Sequence, residues 1–304
     1  MRGKICLVTG ATSGIGEATA RGLAALGATV IVHGRDEDKG WHTIEALRQL
    51  VLSGQQRAQS EPPPPVSFAR ADLASLAEVH RLADELGRTL PRIDVLVLNA
   101  GLACAQRSLT VDGYERTFAV NHLAPFLLTA LLRGLLERSA AARIVVVSSE
   151  AHRRAHLDFD DLMLARGYDQ LRAYSRSKLA NLLFTRALAR RLAGTALTSN
   201  ALHPGVVRTA IFREAPALLR GVLATVGRLL LSSPDQGART SLYLASSQEV
   251  AGRSGEYYIR SRPVRPSDQA LDDAAAERLW RASAELTGTD WAASGTHSEH
   301  HSRR

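Results

Sequence analysis

The chain has 304 residues, 45% hydrophobic and 22% charged, which excludes a wholly disordered chain and is typical of a globular protein with a sizeable core. Its two cysteines, Cys6 and Cys104, exclude a disulfide framework and a cysteine-rich metal site, and no apolar run reaches the roughly 20 residues of a transmembrane helix. The net charge is +8, but the basic residues are mostly arginines spread along the chain, so we expect no nucleic-acid partner. Only Lys4, Lys39 and Lys178 are lysines.

Short β-branched runs alternate with longer segments of helical periodicity. The predicted strands are residues 4–9, 28–33, 66–70, 93–98, 143–148, 197–202 and 256–259. The predicted helices are residues 14–27, 36–52, 75–89, 110–137, 174–193, 235–247 and 268–287. This alternation predicts an α/β fold, a single-domain doubly wound (Rossmann) parallel sheet of about seven strands with helices on both faces. We expect the domain to span residues 1–287 and residues 288–304 to form a polar tail.

Two segments interrupt the alternation. Residues 53–65 end in four consecutive prolines and predict a surface loop, whose role the sequence leaves open. Residues 216–231 are mostly apolar, and a substrate lid, a core helix and a membrane-surface helix are all compatible with them. The strand at residues 4–9 leaves no room for a signal peptide, so we expect a cytoplasmic protein.

The turn after the first strand is rich in glycine and leads directly into a helix. Glycines let the backbone approach a pyrophosphate, and the helix N-terminus presents free N–H groups to the anion. This context predicts a dinucleotide site at the start of the chain. The residues expected to line it are Gly10, Thr12, Ser13, Gly14, Ile15 and Gly16.

The spacing Gly-x-x-x-Gly-x-Gly after Thr9 resembles the short-chain dehydrogenase/reductase family, and four further motifs follow in the family's order. They are Asp72-Leu73, Asn99-Ala100-Gly101, Tyr174-x-x-x-Lys178 and the turn Pro204-Gly205-Val206-Val207-Arg208-Thr209. Ser149 precedes Tyr174 by 25 residues, and this long gap, with the sequence of residues 177–181, resembles the retinol dehydrogenase-like branch.

The resemblance implies roles in cofactor binding for these motifs. Asp72 and Leu73 would lie at the adenine, and Asn99, Ala100 and Gly101 would stabilise the sheet beside the cofactor. The turn with Pro204, Gly205, Val207 and Thr209 would hold the nicotinamide amide.

A catalytic set is predicted around Tyr174 and Lys178, which share one helix face because they are four residues apart. A nearby ammonium and an oxidised nicotinamide would favour the phenolate over the ordinary tyrosine pKa near 10. The resemblance implies that Tyr174 exchanges a proton with the substrate oxygen, which Ser149 rather than Ser148 orients. It also implies that Lys178 holds the nicotinamide ribose and that Asn121 holds a water in a proton relay.

The second predicted strand ends without the acidic residue that typically binds the ribose of NAD. Gly34 stands in its place, and Arg35 follows with a planar group suited to a 2′-phosphate. NADP(H) is therefore the expected cofactor, with NAD(H) possible. The alternative is that Arg35 is a solvated loop residue and Asp36 caps the next helix.

These observations predict an oxidoreductase that interconverts a small, lipophilic aldehyde or ketone and its alcohol. The substrate, the reaction direction and the oligomeric state, a homodimer included, stay open, and association with a membrane surface is compatible with the sequence. Two alternatives are a non-catalytic dinucleotide sensor on the same fold, which would not need the Ser/Tyr/Lys set, and a sugar epimerase. The glycine spacing and the lack of a longer C-terminal domain count against the epimerase.

Overall fold

The computed structural model describes residues 1–55, 65–205, 233–289 and 291. In this part of the chain, eight strands form one sheet in the order β3-β2-β1-β4-β5-β6-β7-β8. The first seven are mutually parallel and β8 is antiparallel to β7. Their bounds are β1 Ile5–Val8, β2 Thr29–Gly34, β3 Val66–Arg70, β4 Val95–Leu98, β5 Arg143–Val147, β6 Thr198–His203, β7 Tyr257–Ile259 and β8 Arg262–Pro263.

Helices connect the strands, and their ends follow local capping chemistry. Asp169 caps α7 by accepting from Arg172 N, so this helix begins four residues before the tyrosine that the sequence places at its start. The described α-helices are α1 Gly14–Ala25, α2 Glu37–Gln55, α3 Leu76–Thr89, α4 Arg116–Phe118, α5 Ala124–Leu131, α6 Arg133–Glu137, α7 Gln170–Arg191, α8 Pro234–Ser246 and α9 Asp273–Thr287.

The core has two halves, one on each face of the sheet, because successive strand residues point to opposite faces. Leu7 of β1 belongs to the half that contains residues of α3, α5, α7 and α9. Its neighbours Cys6 and Val8 belong to the half that contains residues of α1, α2 and α8. Strands buried on both faces are what a parallel sheet requires, so the predicted doubly wound fold is confirmed.

Two predictions of secondary structure were wrong in detail. The predicted helix at 110–137 is broken: residues 110–115 form a turn, and a π-helical turn, Ala119–Leu123, separates α4 from α5. The eighth strand was not predicted, because Arg262–Pro263 is too short to show a period and pairs only with β7.

The sheet order puts β1 and β4 side by side, with crossovers leaving in opposite directions. This is the switch point at whose carboxyl edge doubly wound sheets bind ligands. The glycine-rich turn follows β1, and the segment at 99–101 follows β4. The sequence of 206–232 and 292–304, including the apolar segment and most of the tail, lies outside the described residues. Among the described helices, none is long and apolar enough to cross a bilayer.

Candidate active site

The glycine-rich turn is shaped so that it tolerates no side chain at two places. Gly10 has φ +62°, and a Cβ there would lie 2.9 Å from Ala100 Cα. A Cβ on Gly16 would lie 2.2 Å from Gly10 O and 2.4 Å from Asn99 Nδ2. Such distances are far below van der Waals contact, so the turn and the start of α1 can pack this closely only with glycine.

Hydrogen bonds tie this turn to the segment after β4. Thr9 Oγ1 accepts from Asn99 N at 2.9 Å and from Ala100 N at 3.1 Å, and it donates to Val97 O at 3.2 Å. Asn99 Nδ2 donates to Thr9 O at 2.9 Å and to Gly10 O at 3.2 Å. These hydrogen bonds therefore hold the two segments together, and the role implied for Asn99 stays a prediction.

The N-terminus of α1 is available to an anion. Ser13 stands before the helix in extended conformation, and within the described chain its side chain caps no N–H of the first turn. Free N–H groups and the positive end of the helix dipole favour a phosphate there. Gly14, with φ +59°, begins the helix, and Ile15 is buried beneath it. Thr12 lies beside Gly34, where the chain leaves β2. The turn therefore fits a dinucleotide pyrophosphate.

Tyr174 and Ser149 are brought together where α7 passes the end of β5. Tyr174 is 7% exposed. Burial raises the pKa of Tyr174 to about 12, against a smaller lowering by its hydrogen bond with the Ser149 side chain. Ser149 Oγ also accepts from Ala151 N at 3.2 Å. Ser148 points elsewhere and donates to Lys178 O at 2.8 Å, which agrees with the choice of Ser149 as the serine that faces the tyrosine.

Lys178 is buried between the Val147 carbonyl and the Tyr174 ring. Its Nζ donates to Val147 O at 2.9 Å and lies 5.5 Å from the centre of the Tyr174 ring. Burial lowers the pKa of Lys178 to about 8. A Cβ on Gly101 would lie 3.3 Å from Nζ, so the lysine is packed against the segment that the turn holds. A path of contacts thus joins the glycine-rich turn to Tyr174.

Burial is the larger influence on the pKa of Tyr174 in this structure, and the lowering expected from the ammonium together with an oxidised nicotinamide stays a prediction. The ammonium lies over the ring and bonds Val147 O, while desolvation raises the tyrosine pKa. At neutral pH the phenol therefore keeps its proton.

Asn121 lies in the π-helical turn, and its side chain is engaged by the protein. Oδ1 accepts from Leu102 N at 2.8 Å, while Nδ2 donates to Leu102 O at 2.9 Å and to Ser177 Oγ at 2.9 Å. The amide therefore fixes the chain after Gly101. Both amide hydrogens are already donated, so a water in the predicted relay would have to donate to the second lone pair of Oδ1 or bond the main chain of Asn121.

The predicted selector of NADP lies at the edge of the site. Arg35 is exposed, and its neighbour Asp36 does what the alternative reading proposed: its Oδ1 accepts from Lys39 N at 3.1 Å, ahead of α2. Asp36 also pairs with Lys39 Nζ at 2.6 Å. The charge of Lys39 is therefore balanced by Asp36, whereas Arg35 is an exposed cation next to that ion pair.

The sequence reading missed Arg70. Its Nε donates to Arg35 O at 3.4 Å, because β2 and β3 pair Gly34 with Arg70. This register places a second exposed guanidinium beside Arg35, and the register, unlike the residue type, could not be obtained from one strand alone.

The remaining predicted cofactor residues that the structure describes lie along the same edge. Asp72 is half-buried, and its Oδ1 accepts from Ala74 N at 3.0 Å, while Leu73 is buried. Pro204 and Gly205 follow β6, and Gly205 has φ +92°. Val207 and Thr209 lie outside the described residues.

Comparison with known proteins agrees with this geometry. The family model described as short chain dehydrogenase matches residues 4–218. Retinol dehydrogenase 14 from Homo sapiens is 45% identical over 95% of this chain and 87% of its own length.

Solved structures agree as well. A structure of an uncharacterized protein from Mycobacterium paratuberculosis superposes with a TM-score of 0.75 at 35% identity, covering 95% of both chains. The Pseudomonas aeruginosa RhlG/NADP active-site complex superposes with a TM-score of 0.66 at 29% identity, covering 84% of this chain and 94% of the other. The chain belongs to the short-chain dehydrogenase family, in its retinol dehydrogenase-like branch, and is an oxidoreductase that moves a hydride between a nicotinamide dinucleotide and an alcohol or carbonyl group.

Proposed function

We propose that this enzyme uses NADP(H) in preference to NAD(H) and acts on a lipophilic aldehyde, ketone or alcohol, with Tyr174 as the proton-transferring residue. The observation that carries the proposal is the buried contact of Tyr174 with Ser149 and Lys178, joined through Gly101 to the glycine-rich turn. The retinol dehydrogenases among its relatives motivate the lipophilic substrate class.

The residues of the turn would hold the dinucleotide. The pyrophosphate would lie at the N-terminus of α1, over Gly14, and the adenine end beside Asp72. Arg35 would contact the 2′-phosphate, and Lys178 the nicotinamide ribose. When bound, the nicotinamide supplies or accepts the hydride.

The protein's own residues would handle the proton. In carbonyl reduction, the Tyr174 hydroxyl donates its proton to the substrate oxygen, and a pKa near 12 keeps that proton in place at pH 7. Ser149 donates a hydrogen bond to the same oxygen and orients it. In alcohol oxidation, Tyr174 must first lose its proton, so this direction should accelerate with rising pH.

The experiment is a cofactor titration followed by a substrate screen. NADPH and NADH are titrated by fluorescence, and reduction of retinal, decanal, benzaldehyde and acetone is then followed through oxidation of the tighter-binding cofactor. We expect tighter binding of NADPH and higher kcat/KM for the two long apolar aldehydes. Tighter NADH binding, or a preference for acetone, would contradict the proposal.

Tyr174→Phe is the matched control, because it removes one oxygen and keeps the ring that packs against Lys178. General acid–base groups contribute about 10²–10⁴-fold, so kcat should fall by that range. The Kd for NADPH should stay within a few fold. Retention of more than about a tenth of the wild-type kcat would show that Tyr174 is not the acid, given that range.

The remaining predictions from the sequence stand as proposals. Residues 1–287 would form the catalytic domain and 288–304 a tail, and cytoplasmic location and a homodimer stay predictions that fractionation and sedimentation would check.

A further inference from the structure

His152 is a fully buried histidine that the sequence analysis left without a role. It lies three residues after Ser149, in the 3-10 helix Glu150–Arg154 that Ser149 begins. Both ring nitrogens have close partners. Nδ1 is 2.7 Å from Ser149 O, and Nε2 accepts from Ser267 N at 3.2 Å.

These two partners define the tautomer of the ring. Ser267 N can only donate, so Nε2 must be the unprotonated nitrogen, and the proton of the neutral ring is on Nδ1. Nδ1 therefore donates to Ser149 O. Because burial lowers the pKa of His152, the neutral form is favoured at pH 7.

Hydrogen bonds consequently hold both the carbonyl oxygen and the side-chain oxygen of Ser149. Its carbonyl oxygen accepts from His152 N at 3.1 Å as well as from the ring, and its Oγ accepts from Ala151 N. A shift of the ring would move the peptide that carries the hydroxyl facing Tyr174.

Ser267, which donates to the His152 ring, lies in the segment of residues 265–271 between β8 and α9. Ser267 caps the 3-10 helix Asp268–Leu271 in this segment, with Oγ accepting from Ala270 N. A second hydrogen bond joins this segment to the 3-10 helix that carries His152: Arg153 Nη2 donates to Arg265 O at 2.8 Å. The Tyr257 ring of β7 packs edge-on against His152, with ring centres 5.2 Å apart, and confines the imidazole.

We propose that His152 is a positioning residue that fixes the Ser149 main chain by linking it to the main chain of Ser267. The inference rests on the proposed role of Ser149. It assigns to the segment 265–271 a part in setting the geometry of the substrate oxygen, although that segment supplies no group to the reaction.

Ser267 offers a sharp test, because its φ of −68° and ψ of 159° suit proline. Ser267→Pro removes the N–H that bonds His152 without forcing a new φ, and Ser267→Ala loses the same side chain and the same cap but keeps the N–H. The ratio of their kcat values therefore isolates one hydrogen bond. A single hydrogen bond corresponds to roughly a two- to tenfold change, so kcat of the proline variant should be lower by that factor, with equal Kd for NADPH.

A second pair of variants separates the two ring nitrogens. In His152→Asn the amide nitrogen takes the place of Nδ1 and can still donate to Ser149 O, whereas in His152→Gln the amide oxygen takes the place of Nε2. If positioning of Ser149 is the role, the asparagine variant keeps more kcat than the glutamine variant at similar melting temperature. A merely structural histidine would give variants whose activity follows their stability.

Ser149→Ala, measured alongside, separates this inference from the proposed function. If Ser149→Ala is as active as wild type, the assignment of Ser149 is wrong and the inference is overturned with it. If Ser149→Ala loses activity but Ser267→Pro equals Ser267→Ala, or the glutamine variant equals the asparagine variant, only the role of His152 is overturned.

Discussion

Two cations of the proposed cofactor site, Lys178 and Arg35, have opposite surroundings. Lys178 is 2% exposed, bonds a main-chain carbonyl, and has its pKa lowered by burial. Arg35 is exposed at the end of β2, beside the Asp36–Lys39 ion pair. Charge in a low-dielectric interior acts strongly at short range, whereas exposed charge is screened by water and salt. Substitution of Lys178 should therefore change activity far more than substitution of Arg35 changes cofactor binding.

The largest effect is expected at Lys178. Lys178→Met removes a buried charge beside Tyr174 and should lower kcat/KM by roughly 10²-fold, the order found for a lost electrostatic donor. The apparent pKa for alcohol oxidation should also rise, because no ammonium then favours the phenolate. The measurement is kcat/KM for oxidation as a function of pH.

The same variant should be more thermally stable than wild type at pH 7. The pKa of Lys178 is about 8 in the folded protein against an ordinary 10.5, so between these values the unfolded chain binds more protons. Wild-type stability therefore rises with pH across that window, and below it the buried ammonium is a constant cost. Lys178→Met should have the higher melting temperature below pH 8 and lack the rise. If Lys178→Met keeps its activity and its pH profile of alcohol oxidation is unshifted, Lys178 has no part in the mechanism.

Lys178→Arg is the control that keeps the charge. The guanidinium is larger and planar and cannot occupy the space between Gly101, Val147 and the Tyr174 ring. Most activity should be lost. Wild-type kcat/KM in this variant would mean that any cation suffices there.

Gly16→Ala should give the next largest effect, because its Cβ would collide with main chain. Overpacking costs about 1–3 kcal/mol, and a cost of this size borne by the bound conformation corresponds to roughly fivefold to 150-fold in Kd. NADPH and NADH should weaken equally, since the turn binds what they share. Gly22→Ala, in the same helix, is the control: the three atoms nearest to its Cβ all belong to the Leu242 side chain, so stability should fall while both Kd values hold.

Arg35→Ala should have a smaller, selective effect. A hydrogen bond to a charged group contributes about 1.5–3 kcal/mol, or roughly one to two decades in Kd, and exposure puts Arg35 at the lower end. NADPH alone should weaken, and the difference should shrink at high salt. Equal weakening of both cofactors would leave Arg35 as a loop residue.

The smallest effect belongs to Lys39→Ala. Because Asp36 already pairs with Lys39, the Kd for NADPH should change less than about twofold. A loss as large as that of Arg35→Ala would show that the ion pair opens when the cofactor binds.

The sequence predicted those features of the fold whose signal lies within one short segment. The parallel strands were recognisable because burial on both faces leaves continuous apolar runs, and the turn at Gly10–Gly16 because close backbone approach demands glycine. The π-helical turn at Ala119–Leu123 was not predictable, since it depends on Asn121 bonding Leu102 across the site.

Other properties of the site were not predictable because they depend on residues that are distant in the sequence. The shifted pKa values of Tyr174 and Lys178 follow from burial by residues distant in the sequence, which the helical spacing of the two residues does not show. The contacts of Arg70 and His152 are with partners 35 and 115 residues away, Arg35 and Ser267, which no local pattern shows.

The missing side chain at Gly34 has a consequence for how cofactor choice could evolve. A Cβ there would lie 2.5 Å from Thr12 Cγ2. An acidic residue at position 34, the usual mark of an NAD enzyme, cannot enter unless Thr12 moves or becomes smaller. If the enzyme prefers NADP(H) as proposed, conversion toward NAD through position 34 would require a paired change in the turn after β1, with the replacement at position 12 as the permissive first step.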